Sequence, residues 1–226
     1  MPAFLVSSYF RSKRSLPKLT SQKYLAMSGS KETKQGFELQ MATNVLGHFK
    51  LAAILFDLCR LSSSCRIIVV SSGAHNTISK INPEKDFYPN SSWKAYGKSK
   101  LGNLLFVAKL NRLLKENGIS NVFAVGCHPG FSATGILKQY RSLGPIILIM
   151  GQSAEKGAQS TVYAATYANI QADDYCGPRI FEVWGKPKSS CHVNKAVYNI
   201  KLQDDFWCKC EELTNVNFTS IISSKD

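Results

Sequence analysis

The sequence predicts an α/β fold, a parallel sheet with helices on both faces, and three observations predict it. Two short, continuously apolar, β-favouring runs, Arg66 to Val70 (RIIVV) and Asn121 to Cys127 (NVFAVGC), suit strands of a sheet covered on both sides. Long stretches with helical spacing of apolar residues stand before, between and after them. Along the chain, strand and helix patterns alternate, which is the order of an α/β sheet.

Organised sequence starts near Gly36. Phe37, Leu39, Met41, Val45, Leu46, Phe49 and Leu51 recur at helical spacing and predict one long helix from Gly36 to about Leu61. After RIIVV comes a loop containing Asn76, Pro83 and Pro89. A second long helix is predicted from Trp93 to Leu114, stopped by Asn117-Gly118. The NVFAVGC strand runs into His128-Pro129-Gly130, where Pro and Gly disfavour continued regular structure. Helical spacing returns from Ser153 to Ala168; Arg179 to Val183 (RIFEV) reads as a third strand, and Cys191 to Leu213 as a terminal helix. Residues 1–34, rich in Ser and Lys, read as a poorly ordered leader, 35–217 as the folded domain and 218–226 as a tail.

A chain of 226 residues with 44% hydrophobic content suits one globular core. Its 28 Lys+Arg against 15 Asp+Glu, net +13, are compatible with nucleic acid, an anionic membrane surface or a phosphorylated cofactor as partner, but charge scattered along the sequence reads first as an ordinary solvated surface. No nucleic-acid partner is expected, because the basic residues are scattered and not interleaved with aromatics. The seven cysteines are odd in number, and only Cys208 and Cys210 are neighbours. No metal-ligand spacing is visible, and reduced thiols in a cytosol-facing protein are expected. Acceptor patterns for glycosylation at Asn90 and Asn217 matter only in a translocated chain. No transmembrane helix is expected, since the longest apolar run, around Pro145 to Met150, is too short.

Tyr96 and Lys100 in AYGKSK stand four apart, one turn up the same helix face. An ammonium beside a phenol favours the phenolate and lowers its pKa, which suits a general acid/base acting on a carbinol oxygen. On its own the spacing is common on lysine-rich surface helices. Ser72, just beyond RIIVV, lies where ligands bind in open α/β sheets and can donate to a substrate oxygen, or it is simply a hydroxyl in a turn. Asn44 interrupts the first helix with a poor helix former, either a buried amide that needs partners or a surface amide.

Taken together, NVLGHF, VVSSGAH, AYGKSKLGNLLF and GCHPGFSATGIL, in this order, resemble the short-chain dehydrogenase/reductase family over about residues 31 to 217. SAEKGAQSTVYAA is similar to its retinol-dehydrogenase and WW-domain-oxidoreductase branch. The tail SSCHVNKAVYNIKLQDDFWCKCEELTNV is similar to the X-linked subgroup of that branch. The resemblance implies the carboxyl-terminal part of a Rossmann-type doubly wound parallel sheet. It implies an NAD(P)-dependent oxidoreductase, NADP favoured over NAD, acting on a lipophilic alcohol or carbonyl such as a retinoid, steroid or polyprenoid. Tyr96 becomes the general acid/base, and Lys100 the residue that lowers its pKa and binds the nicotinamide ribose. Ser72 orients the substrate oxygen, and Asn44 holds a water of the proton relay to Lys100. Pro129 and Gly130 shape the nicotinamide pocket, and Thr134 reaches the carboxamide or phosphate. The helices at Trp93 to Leu114 and Ser153 to Ala168 are implied to pair across a homodimer axis or with a full-length relative.

The family's glycine-rich pyrophosphate turn, T-G-x-x-x-G-x-G, is not in this sequence, nor is an N-N-A-G before the first helix. An amino-terminally truncated domain is therefore expected, with the first strands missing. The inner edge of RIIVV would be left unpaired and one face of each long helix uncovered. Enzymatic activity then becomes doubtful, and a non-catalytic isoform that binds a full-length relative is the alternative.

Overall fold

The computed structural model describes residues 3–6, 32–89, 94–130 and 152–224, the first group by its backbone. Its sheet runs in the order β1 (Ala3–Val6), β2 (Cys65–Val70), β3 (Val122–Cys127), β4 (Tyr175–Ile180), β5 (Trp184–Lys188). The first four strands are parallel and β5 returns antiparallel to β4. The α/β prediction therefore holds, and both central strands lie within a residue of where their apolar runs place them.

Two expectations at the chain ends are corrected. The inner edge of β2 is paired: Ala3 to Val6 lie in register with Arg66 to Val69. The leader reading thus fails for residues 3–6, while residues 7–31 lie outside the described residues. Residues 218–226 are not merely a tail. Phe218 is fully buried, its ring 5.6 Å from Phe49, 5.4 Å from Phe56 and 5.3 Å from Trp207. The short helix α6 (Phe218–Ser223) begins on Asn217, whose side chain accepts from Ser220 N, so that acceptor-pattern amide is a helix cap. Asn90 lies outside the described residues.

Alternation along the strands divides the core between two faces. Ile67, Val69, Val122 and Ala124 face α1 (Leu39–Arg60), α3 (Ala95–Glu116) and α5 (Ile200–Thr214). Ile68, Val125 and Cys127 face α4 (Ala154–Thr166) through Ala164, with Ile170 from the turn after it completing the cluster. This is the two-sided cover that continuous apolar strands require. Between β2 and α3 the chain makes a short helix, α2 (Pro83–Asp86), and α3 stops where Gly118 takes φ +69°.

α3 keeps its cover. Phe206 and Trp207 of α5 lie on it, with Trp207 stacked on Phe106 at 5.6 Å and only a hydrogen at Gly102 leaving room for Phe206. Among the described residues, α1 shows the uncovered face expected of a long helix. There Leu51, Ile54, Leu58 and Leu61 form an exposed apolar stripe, Ile54 at 65% exposure. α1 is also the one helix among the described residues long and apolar enough to cross a membrane by length and composition, which the sequence reading did not expect. Its opposite side, with Met41, Phe49 and Phe56, is core.

The carboxyl-terminal elements depart most from expectation. Arg179 to Val183 is not a strand: it spans the end of β4 and a turn in which Phe181 and Glu182 take φ 49° and 57°. RIFEV looked continuous because apolar residues in a tight turn are indistinguishable from strand by composition. The terminal helix begins only at Ile200, capped by the Asn199 side chain, after a single turn of 3-10 helix at Lys195–Tyr198.

Candidate active site at the carboxyl ends of the strands

β2 ends at Val70, and its carbonyl is the first anchor of the site. It accepts from Lys100 Nζ at 3.1 Å and from Asn103 Nδ2 at 3.0 Å, side chains one turn apart on α3. The next residue adds a second anchor, as Ser71 Oγ donates to the Lys100 carbonyl at 2.7 Å and Ser71 N to Cys127 O at 2.7 Å. α3 is thereby fixed over the ends of β2 and β3, with its apolar face against the sheet. Gly97 permits the close approach at its start, since a Cβ there would fall 2.7 Å from Ile78 Cδ1 and 2.9 Å from the Ala74 carbonyl.

Ser72 leaves the strand in extended geometry and caps the 3-10 turn Gly73–Thr77, accepting from Ala74 N at 3.3 Å. Its side chain lies near enough to the Tyr96 hydroxyl to pull the phenol pKa down. Burial pulls the other way and wins, so Tyr96 sits above its ordinary value. The Lys100 ammonium lies 5.6 Å from the Tyr96 ring centroid and is hydrogen-bonded to Val70 O. The expected lowering of Tyr96 by Lys100 is therefore not what this arrangement gives. Lys100 itself is 2% exposed, and burial brings it down to about 8. Cys127, buried nearby and bonded to Thr161, is pushed up to about 11.

Asn44 is 3% exposed, so the surface-amide alternative falls. It sits inside α1 at a wide turn, Ala42–Leu46, with π-helical bonding, a local bulge that recurs at functional sites. Its Nδ2 donates to Ser99 Oγ at 3.0 Å, and Ser99 Oγ donates to Tyr96 O at 2.8 Å. The Asn44 carbonyl meets His48 Nδ1 at 2.9 Å, and His48 is lowered by burial and by the Lys100 charge, against the Asn44 bond. The sequence reading missed Ser71, Ser99 and His48. Ser99 could have been found, because it lies three residues from Tyr96 and one before Lys100.

Beyond β3, Gly130 takes φ +68°, and its N–H donates to His128 Nδ1 at 3.3 Å. A Cβ there would strike the Val183 carbonyl and fall 2.7 Å from Pro178 Cγ, so only glycine holds this loop against the β4–β5 hairpin. The fold thus brings Asn44, Ser72, Tyr96 and Lys100 together, with Pro129 and Gly130 at the end of the neighbouring strand. Thr134 lies outside the described residues. This is the edge at which open α/β sheets bind ligands.

No protein-family profile matches the chain. It is similar to the polyprenol dehydrogenase of Homo sapiens, 31% identical over 202 residues, or 84% of this chain and 58% of that protein. It is also similar to the WW domain-containing oxidoreductase of Gallus gallus, 33% identical over 156 residues, 62% of this chain and 36% of that protein. The chain belongs to the short-chain dehydrogenase/reductase family. A third member, retinol dehydrogenase 13 of Homo sapiens, is 34% identical over 146 residues, covering 59% of this chain and 43% of that protein. A solved structure of an uncharacterized protein from Mycobacterium paratuberculosis superposes with a TM-score of 0.68 at 31% identity. It covers 86% of this chain and 65% of its own. The chain spans about half the length of the curated short-chain dehydrogenase/reductase relatives it matches.

Proposed function

We propose that the chain carries the proton-transfer half of an NAD(P)-dependent oxidoreductase for a lipophilic alcohol or carbonyl of the retinoid, steroid or polyprenoid class. The observation that carries this reading is the placement of Ser72 beside the Tyr96 phenol at the end of β2, with the buried Lys100 one turn further along α3 and its ammonium 5.6 Å from the Tyr96 ring. The residues fit the nicotinamide end of a dinucleotide: a half-buried phenol, a buried ammonium and a glycine loop in left-handed geometry border one strand edge. They do not supply a pyrophosphate cradle, because no glycine-rich T-G-x-x-x-G-x-G segment occurs in these 226 residues. When bound, the nicotinamide supplies the hydride chemistry. Tyr96 would pass the proton to or from the carbinol oxygen, Ser72 would hold that oxygen, and Lys100 would contact the ribose. Asn44 and Ser99 fix the start of α3 and, with a water, complete the relay to Lys100.

NADP as the preferred nucleotide rests on family resemblance alone. The seven cysteines are thiols, which supports a cytosol-facing location at an endoplasmic-reticulum or lipid surface. The test is NADPH fluorescence of the purified chain, which should quench and shift on binding. Absence of binding at millimolar nucleotide refutes present activity.

The exposed stripe Leu51, Ile54, Leu58 and Leu61 favours a second reading, a non-catalytic chain that docks onto a full-length relative. Pairing through the outer face of α3 is disfavoured by α5 lying on it. Co-expression with a full-length relative followed by size exclusion separates the readings, and docking fails if the two never co-elute.

A further inference from the structure

Away from Tyr96 and Lys100, the loop after β3 and the β4–β5 hairpin bring together three metal-ligating side chains that the sequence disperses. Ligand atoms of His128, Glu182 and Cys191 all lie within 4.8 Å of one another. His128 is 2% and Cys191 8% exposed, with Glu182 half-buried at the mouth. A tetrahedral zinc site with bonds of about 2.0 to 2.3 Å spaces its ligand atoms by about 3.3 to 3.8 Å. The cluster therefore needs to close by about 1 Å, within reach of small side-chain rotations.

A second observation points to a ligand. His128 Nε2 is buried and makes no hydrogen bond, while Nδ1 takes the long 3.3 Å contact from Gly130 N. A buried ring nitrogen without a partner is costly unless something binds it. Gly177 packs against the ring face and not along the in-plane direction of Nε2. A Cβ on Gly177 would overlap Nε2 and fall 2.5 Å from Cδ2 and 2.7 Å from Cε1, near both flanking carbons and hence over the ring face. The in-plane direction of Nε2, where a metal binds, is not the one Gly177 fills. On Glu182, Oε1 already accepts from His192 N at 2.6 Å, which leaves Oε2 to ligate and holds the carboxylate in place.

We propose that His128, Glu182 and Cys191 form a binding site for a divalent transition metal of the zinc class, with water as fourth ligand. Imidazole nitrogen, carboxylate oxygen and thiolate sulfur are the donor set such ions take. On binding, the Cys191 proton leaves to solvent as the metal–sulfur bond forms. The His128 ring proton moves to Nδ1, at the expense of the long Gly130 contact. Lys188 opposes the metal: its ammonium stands 3.6 Å from Glu182 Oε1 and supplies the carboxylate's counter-charge in the metal-free protein. The metal would tie the loop carrying Pro129 and Gly130 to the hairpin, independently of whether nucleotide binds.

The test is cobalt(II) titration of the chelator-treated full chain, read by absorption. The expected result is a thiolate-to-cobalt charge-transfer band with d–d bands of tetrahedral intensity, saturating at one equivalent and displaced by zinc. Cys191→Ser should abolish the charge-transfer band, and Glu182→Gln, which removes a charged ligand, should weaken affinity by at least the ~10-fold that loss of a ligand's outer partner costs. Cys208→Ser, at the exposed thiol, should change neither. Lys188→Met, which removes the competing ammonium at a partly exposed position, should tighten binding. A wild-type titration without a thiolate band overturns the proposal whatever the variants do. So does an undiminished band in a Cys191→Ser protein whose circular dichroism matches the parent.

Discussion

Lys100→Met isolates what it costs the fold to hold the site's ammonium. Lys100 is fully buried, and its pKa falls from 10.5 to about 8 because burial penalises the charged form. The folded state therefore binds fewer protons than the unfolded state between those values, so stability should rise with pH across that window. Below about pH 8 both states are protonated and the penalty is fully present; above about pH 10.5 both are neutral and it is gone. The difference of about 2.5 pH units, at ~1.36 kcal/mol each, gives a gain of about 3 kcal/mol. Replacing Lys100 by Met removes this group from the titration, and Asn103 Nδ2 still satisfies the Val70 carbonyl. Other thiols and phenols titrate in the same range and cancel to first order in the comparison. The assay is urea unfolding followed by tryptophan fluorescence for parent and variant at pH 7 and 10.5. The parent should gain about 3 kcal/mol more than Lys100→Met over that interval. Parallel profiles, agreeing within about 0.5 kcal/mol, would refute the claim that Lys100 is held charged against its burial.

Tyr96→Phe keeps the ring and removes the proposed proton carrier. In fusion to the dinucleotide-binding half of a relative, turnover should drop by about 100- to 10,000-fold with nucleotide affinity nearly unchanged, as steady-state kinetics and fluorescence titration would show. Phe218→Ala should cost about 3 to 5 kcal/mol in chemical denaturation, because its ring fills the space among Phe49, Phe56 and Trp207; a cost near zero would restore the tail reading. Gly130→Ala forces a side chain into left-handed geometry, at about 1 to 2 kcal/mol, and onto the Val183 carbonyl. Thermal unfolding should therefore shift down, and nucleotide binding should weaken with it.

How much of this was legible in the sequence varies by residue. RIIVV and NVFAVGC announced β2 and β3 because a strand buried on both faces must be continuously apolar, and Asn117-Gly118 announced the end of α3 because glycine alone enters left-handed geometry there freely. Tyr96, Lys100, Ser72 and Asn44 were legible as a set and ambiguous singly. Three features were hidden by their nature. The pairing of Ala3–Val6 with β2 is a long-range contact that local composition does not encode. The hairpin turn at Phe181-Glu182 uses residues that ordinarily favour strands or helices. The wide turn around Asn44 depends on a bond to Ser99, fifty-five positions away.

That bond also explains why the site assembles as a unit. A buried amide left without a partner costs about 1 to 3 kcal/mol, and a buried hydroxyl is penalised in the same way. Asn44 and Ser99 relieve each other only when α1 and α3 cross at one level. Slipping either helix by a turn would strand both groups against apolar neighbours, whereas the Phe, Leu and Ala contacts around them tolerate small shifts. The polar pair therefore selects the register that apolar packing leaves loosely defined. Tyr96 and Lys100 flank Ser99 on α3, so fixing Ser99 also fixes the phenol beside Ser72 and the ammonium beside Val70. The wide turn in α1 follows from the same constraint, since it accommodates an amide that must point at Ser99 within a helix otherwise spaced for core contacts.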